Sequence, residues 1–468
     1  MLKIDSSGKP GKRSEMLASE KTGKLLFKLS MPAIIGMLVQ ALYNMVDTIF
    51  VGRGVGTLGI GGIAIVFPIQ IFMMAVAQTI GIGGASIISR RLGAGDRNGA
   101  ALTLGNMVLL SIFLSAIILA AGEIFMSPVL RIFGATPTIF PYAKNYFSII
   151  ILGAPLITFA MAVNNAARAE GNAGIAMVTM LVGAGLNIIL DPLFIFGLKM
   201  GIKGAAVATV ISQAASAIFL FIYFQSGKSE IHFGFKYFRI RWNIVKEIFA
   251  IGASVFARHG AMTITSALIN NALRAHGGDI GIAAFGVIFR LFSFFIMPMM
   301  GINQGLQPIL GFNYGARQYG RVMESFRKGV VSSTIYSIVG YAVLMIFPGI
   351  ILGLFSSDPE LIRIGRDAMR ITIIILPLVG FQIVGSGLFQ ALGKALPALF
   401  LSLARQVLFL IPMVILLPLF LGLSGVWVSF PAADGLSFLA TLVLVLIMMK
   451  KLRADKVYSQ QYQDKTCN

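Results

Sequence analysis

Two carboxylates stand where carboxylates are costly. Asp47 and Asp191 both fall inside long apolar stretches, and an ionisable group within a bilayer faces a cavity or a partner. Gln40, Tyr43 and Asn44 precede Asp47; Gln40, Asn44 and Asp47 are spaced i, i+4, i+7 and share one helical face. Asp191 has Asn187 four residues and Met180 eleven residues before it on a common face, and Thr209 and Gln213 form another i, i+4 pair. Carboxylate, amide and hydroxyl oxygens make up the ligand set of a hard cation. A desolvated carboxyl can instead carry a proton. Both chemistries use the same residue types, so the ion stays open between Na+ and H+. The competing use of Asp47 and Asp191 is to cap a helix end or to pair with a nearby arginine such as Arg53, and Asp191 precedes Pro192, where a helix can simply stop.

The second half of the chain embeds a different set: Arg258, His259, Arg290, Arg405 and Asp434. Arg258 lies about a dozen residues into its apolar stretch, near mid-depth at the helical rise of about 1.5 Å per residue. The favoured reading is an interhelical polar network in which Asp434 neutralises one arginine; the other is a site for anionic substrate groups or a gate. His259 reads as hydrogen-bonded rather than as a titrating switch. The 23 methionines cluster at Met73-Met74 and at Met297, Met299 and Met300. They read as packing more readily than as an adaptable drug-cavity lining.

Such residues need membrane-spanning elements to hold them. Of 468 residues 57% are hydrophobic and 12% charged, which excludes a water-soluble fold of this size. Mean hydropathy is +0.86. Apolar runs predict twelve transmembrane helices near 25–50, 58–88, 100–122, 142–166, 173–197, 203–225, 246–271, 281–304, 329–354, 369–391, 396–420 and 425–449. The net charge of +20 would suggest nucleic acid in a soluble protein. Here it belongs to cytoplasmic loops, and no nucleic-acid-binding motif accompanies it. Arg90-Arg91, Arg97, the stretch Lys228–Lys246, Arg317–Lys328 and Lys450–Lys456 fall on one side, which predicts cytoplasmic N- and C-termini in the inner membrane of a prokaryote. Residues 1–24 are polar and basic, and the stretch that follows from Leu25 is longer than a signal core, so it reads as a retained first helix. A single cysteine, Cys467, excludes a disulfide framework within one chain.

The chain also repeats itself. Gly83 and Gly305, Gly93 and Gly315, Pro137 and Pro359, Pro155 and Pro377, and Gly171 and Gly393 are each 222 residues apart. Leu92-Gly93-Ala94 matches Tyr314-Gly315-Ala316. This predicts an all-α protein of two homologous six-helix bundles, and because six is even the repeat is parallel. The expected divisions are an N-terminal tail (1–24), a first lobe (25–225), a linker (226–245), a second lobe (246–449) and a C-terminal tail (450–468). Two such bundles suit alternating access. There is no G-x-x-x-x-G-K-[ST] loop and no room for an ATP-binding domain, so the energy comes from a gradient. Three histidines without a metal motif, and no nucleophile signature, argue against an enzyme or a cofactor.

The whole resembles the multidrug and toxic compound extrusion family of cation-coupled drug antiporters. Ser30-Met31-Pro32, Gln40 and the run Asn44-Met45-Val46-Asp47-Thr48-Ile49-Phe50-Val51-Gly52 carry the resemblance, with Leu186-Asn187-Ile188-Ile189-Leu190-Asp191-Pro192, Arg91-Leu92-Gly93-Ala94-Gly95-Asp96 and Asn313-Tyr314-Gly315-Ala316. It covers roughly residues 20–450. It implies twelve helices in two lobes arranged as a V, and a cation or proton site at Asp47, Asn187, Asp191 and Thr209. It implies also a neighbouring drug cavity at Gln40, Asn164 and Met180, to which Tyr43, Asn44 and Gln213 are added by their position, and a bending point at Pro32. Organic cations and drugs are then the substrates, H+ or Na+ the coupling ion, membrane lipid the surroundings, and a monomer the expected state. Some members carry embedded acids on helices 7 and 10; here helix 7 has Arg258-His259, and no carboxylate stands between Met369 and Leu392. Coupling is therefore expected in the first lobe. The alternative is a flippase for lipid-linked oligosaccharide or another lipid, for which the second-half arginines would hold a pyrophosphate headgroup.

Overall fold

A computed structural model describes residues 11–231, 233–353 and 358–467. The first ten residues of the expected N-terminal tail, and Asn468 of the C-terminal one, lie outside them. No water satisfies backbone N–H and C=O groups in a bilayer core, so a spanning segment must close its hydrogen bonds internally. The described residues are accordingly helical and contain no strand. Eleven helices are long and apolar enough to cross a membrane, and a bent helix pair supplies the twelfth crossing.

A short helix, α1 (Lys12–Ser19), precedes the first span. The first half continues with α2 (Thr22–Gly54), α3 (Thr57–Gly93), α4 (Arg97–Ile124), α5 (Met126–Ile132), α6 (Phe140–Ile150), α7 (Ala154–Ala169), α8 (Ala173–Pro192) and α9 (Ile202–Gln225). The second half holds α10 (Trp242–Gly278), α11 (Ile280–Gly315), α12 (Tyr319–Ile346), α13 (Pro348–Gly353), α14 (Pro359–Thr372), α15 (Leu376–Ala391), α16 (Ala395–Leu421) and α17 (Leu423–Cys467). A 3-10 turn at Ile151–Gly153 joins α6 to α7. In the second half α14 and α15 are bent by 52° across the residues 222 positions further on.

The backbone keeps the same period. Gly56 and Gly278 both have positive φ, 85° and 57°, and each separates two spans. Gly95 (φ 76°) follows α3, and its counterpart after α11 is Arg317 (φ 58°). A side chain in that left-handed region costs roughly 1–2 kcal/mol, so the turn geometry is common to both halves although the residue is not.

Packing divides the chain into two compact units. One comprises the described residues up to Ser19 with Ile35–Gly252; the other comprises Glu20–Ile34 with the described residues from Ala253. Helix α2 is thus shared at Ile34/Ile35, just after Pro32, and α10 is shared at Gly252/Ala253. Glycines explain the division. In the first unit a Cβ on Gly83 or Gly252 would collide with the backbone of Ile248 or Thr79, so the start of α10 lies directly on α3. In the second, Gly301 and Gly305 of α11 hold the backbone of Ile34 and Ser30 just as closely. Lipid offers no hydrophobic drive between helices, and small residues that let backbones approach supply the attraction instead.

Each unit has its own apolar core. Val51, Val66, Met73, Tyr146, Phe147, Ile150, Ile195 and Ile202 pack in the first. Ile269, Leu273, Ile288, Met299, Leu376, Val414 and Trp427 pack in the second. Large apolar side chains also stay exposed along the helices, among them Ile112, Phe113 and Ile117 on α4 and Ile335, Ile338 and Val339 on α12. Those faces suit lipid.

Candidate functional site

The first unit gathers its polar residues around the carboxylate pair. Asp47 lies well inside α2, and Asp191 is the penultimate residue of α8; neither caps a helix start. Arg53 forms no ion pair with Asp47 among the described residues. Instead Asp47 and Asp191 lie in the same compact unit, on α2 and α8. A buried carboxyl there can take up a proton or help to hold a small cation. Asp191, Asn187 and Thr209 are 0%, 1% and 4% exposed, so this chemistry is screened from solvent.

Asn187 sits one turn before Asp191 on the same face of α8. With its amide turned so that both ends are satisfied, it donates to Asp191 Oδ2 at 2.8 Å and accepts from the backbone N–H of Thr209 at 3.2 Å. The Thr209 hydroxyl donates to the carbonyl of Ala205 at 3.0 Å. Asn187 therefore ties Asp191 of α8 to the backbone of α9. One acceptor is left over: Asp47 Oδ1 is buried without a hydrogen-bond partner. A buried orphan acceptor costs about 1–3 kcal/mol, and a proton or a small cation would satisfy it.

The backbone is irregular directly after Asp191. Pro192 follows Asp191 and has no N–H to donate. The chain then takes a π-helical turn from Leu193 to Gly197 before α9. Such turns are rare and concentrate at functional positions. The second half has one as well, at Ala404–Leu410, and it carries Arg405.

The remaining expected cavity residues separate. Tyr43 is half-buried on α2, one turn before Asp47. Met180 packs on α2 where Gly36 leaves room for its sulfur, and Gln213 lies near Gly153. Gln40 is half-buried and Asn44 exposed along α2, which runs as one helix through Pro32. Asn164 is committed to protein: its amide donates to the carbonyl of Ala176 at 3.0 Å, and its oxygen accepts from Arg168. Arg168 is buried and holds Asn165 Oδ1 as well, at 2.8 Å.

The five-residue network expected in the second half contracts to one ion pair. Arg405 donates through Nε and Nη2 to the two oxygens of Asp434, which is 2% exposed. Gln382 donates to the Asp434 backbone carbonyl at 2.7 Å. Because Arg405 takes both carboxylate oxygens, Asp434 is not left for Arg258, His259 or Arg290. Their side chains form no hydrogen bond or ion pair among the described residues.

Two further polar side chains of the first unit were not singled out from the sequence. Tyr146 of α6 is 3% exposed and belongs to the core that holds Val51 and Met73, and Gln70 is half-buried on α3. Gln70 was detectable as a polar residue inside an apolar span. Tyr146 carried no such signal, because buried tyrosines are common.

Known proteins agree with this architecture. The MatE family model matches residues 32–193 and 259–416. The multidrug export protein MepA of Staphylococcus aureus (strain MSSA476) is 28% identical over 432 residues, covering 92% of this chain and 95% of its own. The solved MATE multidrug transporter DinF-BH is 46% identical with a TM-score of 0.85, covering 92% of this chain and 97% of that one. A MATE structure in the bent conformation has a TM-score of 0.91 at 26% identity, covering 96% and 100%. Twelve spans in two repeated halves and a family model matched across most of both lead to one conclusion: the chain belongs to the MatE (multidrug and toxic compound extrusion) family and is an integral membrane transporter, not an enzyme.

Proposed function

We propose that the protein is a multidrug efflux antiporter that exports lipophilic, mostly cationic organic compounds in exchange for H+ or Na+. The observation that carries this reading is the two embedded carboxylates of the first unit, Asp191 fully buried against Asn187 and Asp47 with a buried, unsatisfied oxygen. Binding of the inward-moving ion at that oxygen changes the charge of the cluster. Asp47 is on α2, so the change acts on the helix that the two units share. An exported cation seeks the same negative charge, and exchange follows when ion and drug exclude each other. A ligand shifts a conformational equilibrium only through different affinities for its states; in this reading the charge on Asp47 and Asp191 supplies that difference.

In this reading Asp47, Asn187, Asp191 and Thr209 handle the ion, while Gln40, Tyr43, Asn44, Met180 and Gln213 face the drug. The protein works as a monomer in the cytoplasmic membrane of a prokaryote, with both termini inside. MepA, described as a multidrug export protein, and DinF-BH, described as a multidrug transporter, support the export of drugs.

The test is efflux of a fluorescent lipophilic cation from proteoliposomes, with proton and sodium gradients imposed separately. Wild type is expected to export under one of them, and Asp47→Asn and Asp191→Asn to lose gradient-driven export. Unchanged ion dependence in Asp191→Asn would remove the coupling assignment. No export by wild type under either gradient would turn the search to lipid-linked substrates.

A further inference from the structure

Another buried carboxylate is untouched by the transport chemistry. Glu170 lies in the short connection between α7 and α8, and it is fully buried. Its oxygens are taken by three separate segments. Arg13 of α1 donates from Nη1 at 2.9 Å, the Tyr223 hydroxyl near the end of α9 donates to the same oxygen, and the residues after α9 contribute the Ser229 hydroxyl at 2.6 Å and the Glu230 backbone N–H at 2.9 Å. Arg13 also donates to the Tyr223 hydroxyl at 2.8 Å and lies over its ring, and Asn172 donates to that hydroxyl at 2.9 Å.

Glu230 completes the arrangement from the other side. Its carboxylate accepts the backbone N–H groups of Arg13 at 2.6 Å and Ser14 at 3.2 Å, together with the Ser14 hydroxyl. Those are free N–H groups of the first turn of α1, where a carboxylate is favoured by both hydrogen bonding and the helix dipole. Further along, Leu17 is completely buried and packs over Gly171, whose missing side chain leaves room for it. An eight-residue helix is too short to hold itself in water, so α1 exists because it is docked. Only Glu20 and Lys21 separate it from α2. The repeat does not demand any of this, since the residue 222 positions after Glu170 is Leu392.

We infer that α1 is a strap, locked onto the first unit by Glu170 and Glu230, which fixes the starting point of α2 and thereby sets the turnover of the transporter. The control of turnover rests on the transport reading above; the lock does not. While the strap is docked, α2 starts two residues from an anchored point. Once it is released, the start of α2 keeps only its own contacts, with the Thr22 hydroxyl donating to Glu324 at 2.6 Å and Arg321 donating to the Glu20 carbonyl at 2.8 Å. The helix so controlled is the one carrying Asp47, so the lock acts as a positioning device for the ion site rather than as part of it.

The test uses the full-length protein with Cys467→Ser and a reporter, Leu17→Cys, labelled by a maleimide at neutral pH. Glu230→Ala and, separately, Glu170→Gln are added. Both are expected to raise the labelling rate at least about tenfold by opening the docked strap. In proteoliposomes, the same two changes placed in the otherwise unaltered chain are expected to lower maximal efflux about fivefold or more with the KM for the drug unchanged, as for a step that gates turnover. Glu230 is only part-buried, so its alanine variant carries the test if Glu170→Gln does not fold. Labelling of Glu230→Ala at the wild-type rate would overturn the lock. Faster labelling with unchanged maximal efflux, or a raised KM, would overturn the control of turnover. If wild type exports nothing, the transport reading has failed, and labelling alone still supports or overturns the lock.

Discussion

Replacing Arg405 by methionine distinguishes a structural ion pair from a substrate-binding arginine. Asp434 is 3% exposed at its side chain and Arg405 27%, so the carboxylate is the more deeply buried partner. Removing Arg405 leaves that carboxylate with no cation, and breaking a buried pair from one side costs about 3–5 kcal/mol. The methionine keeps the apolar stem, so little of this cost is lost packing. Across a unit of this size about 1 kcal/mol moves the melting midpoint by roughly 2–4 °C, which places Arg405→Met roughly 6–20 °C below wild type.

The second arm removes both charges. Arg405→Met with Asp434→Leu eliminates the unpaired ion, and apolar replacement of a buried pair is often neutral or even stabilising. The double variant is therefore expected to recover most of the lost midpoint. The interaction energy from the four-corner cycle should be about 2 kcal/mol or more. Melting is followed by fluorescence-detected size exclusion in detergent, and efflux is measured on all four proteins in liposomes. If the pair is structural, the double variant exports normally. A double variant that melts like wild type but has lost export would refute the reasoning and show that Arg405 meets the substrate. A single variant as stable as wild type would refute the burial argument.

Three further outcomes are expected. Asn187→Ala removes the 2.8 Å donation to Asp191; a hydrogen bond to a charged group contributes about 1.5–3 kcal/mol, so the ion concentration at half-maximal efflux should shift about tenfold or more, while an unshifted midpoint would detach Asn187 from the ion site. Arg317→Gly should raise the melting midpoint in detergent, since Arg317 holds φ at 58° where the first half has Gly95, a position at which glycine avoids roughly 1 kcal/mol of strain; a lower midpoint would mean the arginine side chain matters more than its backbone. Burial holds the Glu170 carboxyl above its ordinary value of 4.5, with the Arg13 guanidinium opposing it. A raised folded value makes the Glu170 contribution to stability complete below about pH 4.5 and lost as pH rises through the raised value. Wild-type melting should therefore fall more steeply between pH 4.5 and 7 than that of Glu170→Gln, and parallel curves would contradict the shift.

The twelve spans and the 222-residue repeat were legible in the chain because both are local or periodic properties. Helices in lipid are forced by the need to close backbone hydrogen bonds, and a 20-residue apolar run announces itself. The same holds for faces. Gln40, Asn44 and Asp47 on one side of α2, and Asn187 with Asp191 on one side of α8, follow from 3.6 residues per turn. Arg168 was not legible, because it falls just past the apolar run 142–166 and its deep burial shows only in the packed structure.

What the chain by itself determined is therefore its class, its duplication, and which polar residues share a helix face. Only the tertiary structure decided which faces meet. Asp191 and Thr209 are 18 residues apart in sequence and on different helices, and nothing in the spacing of either requires Asn187 to bridge them; that depends on the packing of α8 against α9. Arg405 finding Asp434, while Arg258, His259 and Arg290 find no anion, is likewise a matter of which helices pass close enough. The division of α2 at Ile34/Ile35 rests on Gly301 and Gly305, some 270 residues away, and the docking of α1 on Glu170. Periodicity is written residue by residue along one helix, whereas close approach depends on small residues and complementary charges on different helices, and those become neighbours only when the bundle has formed.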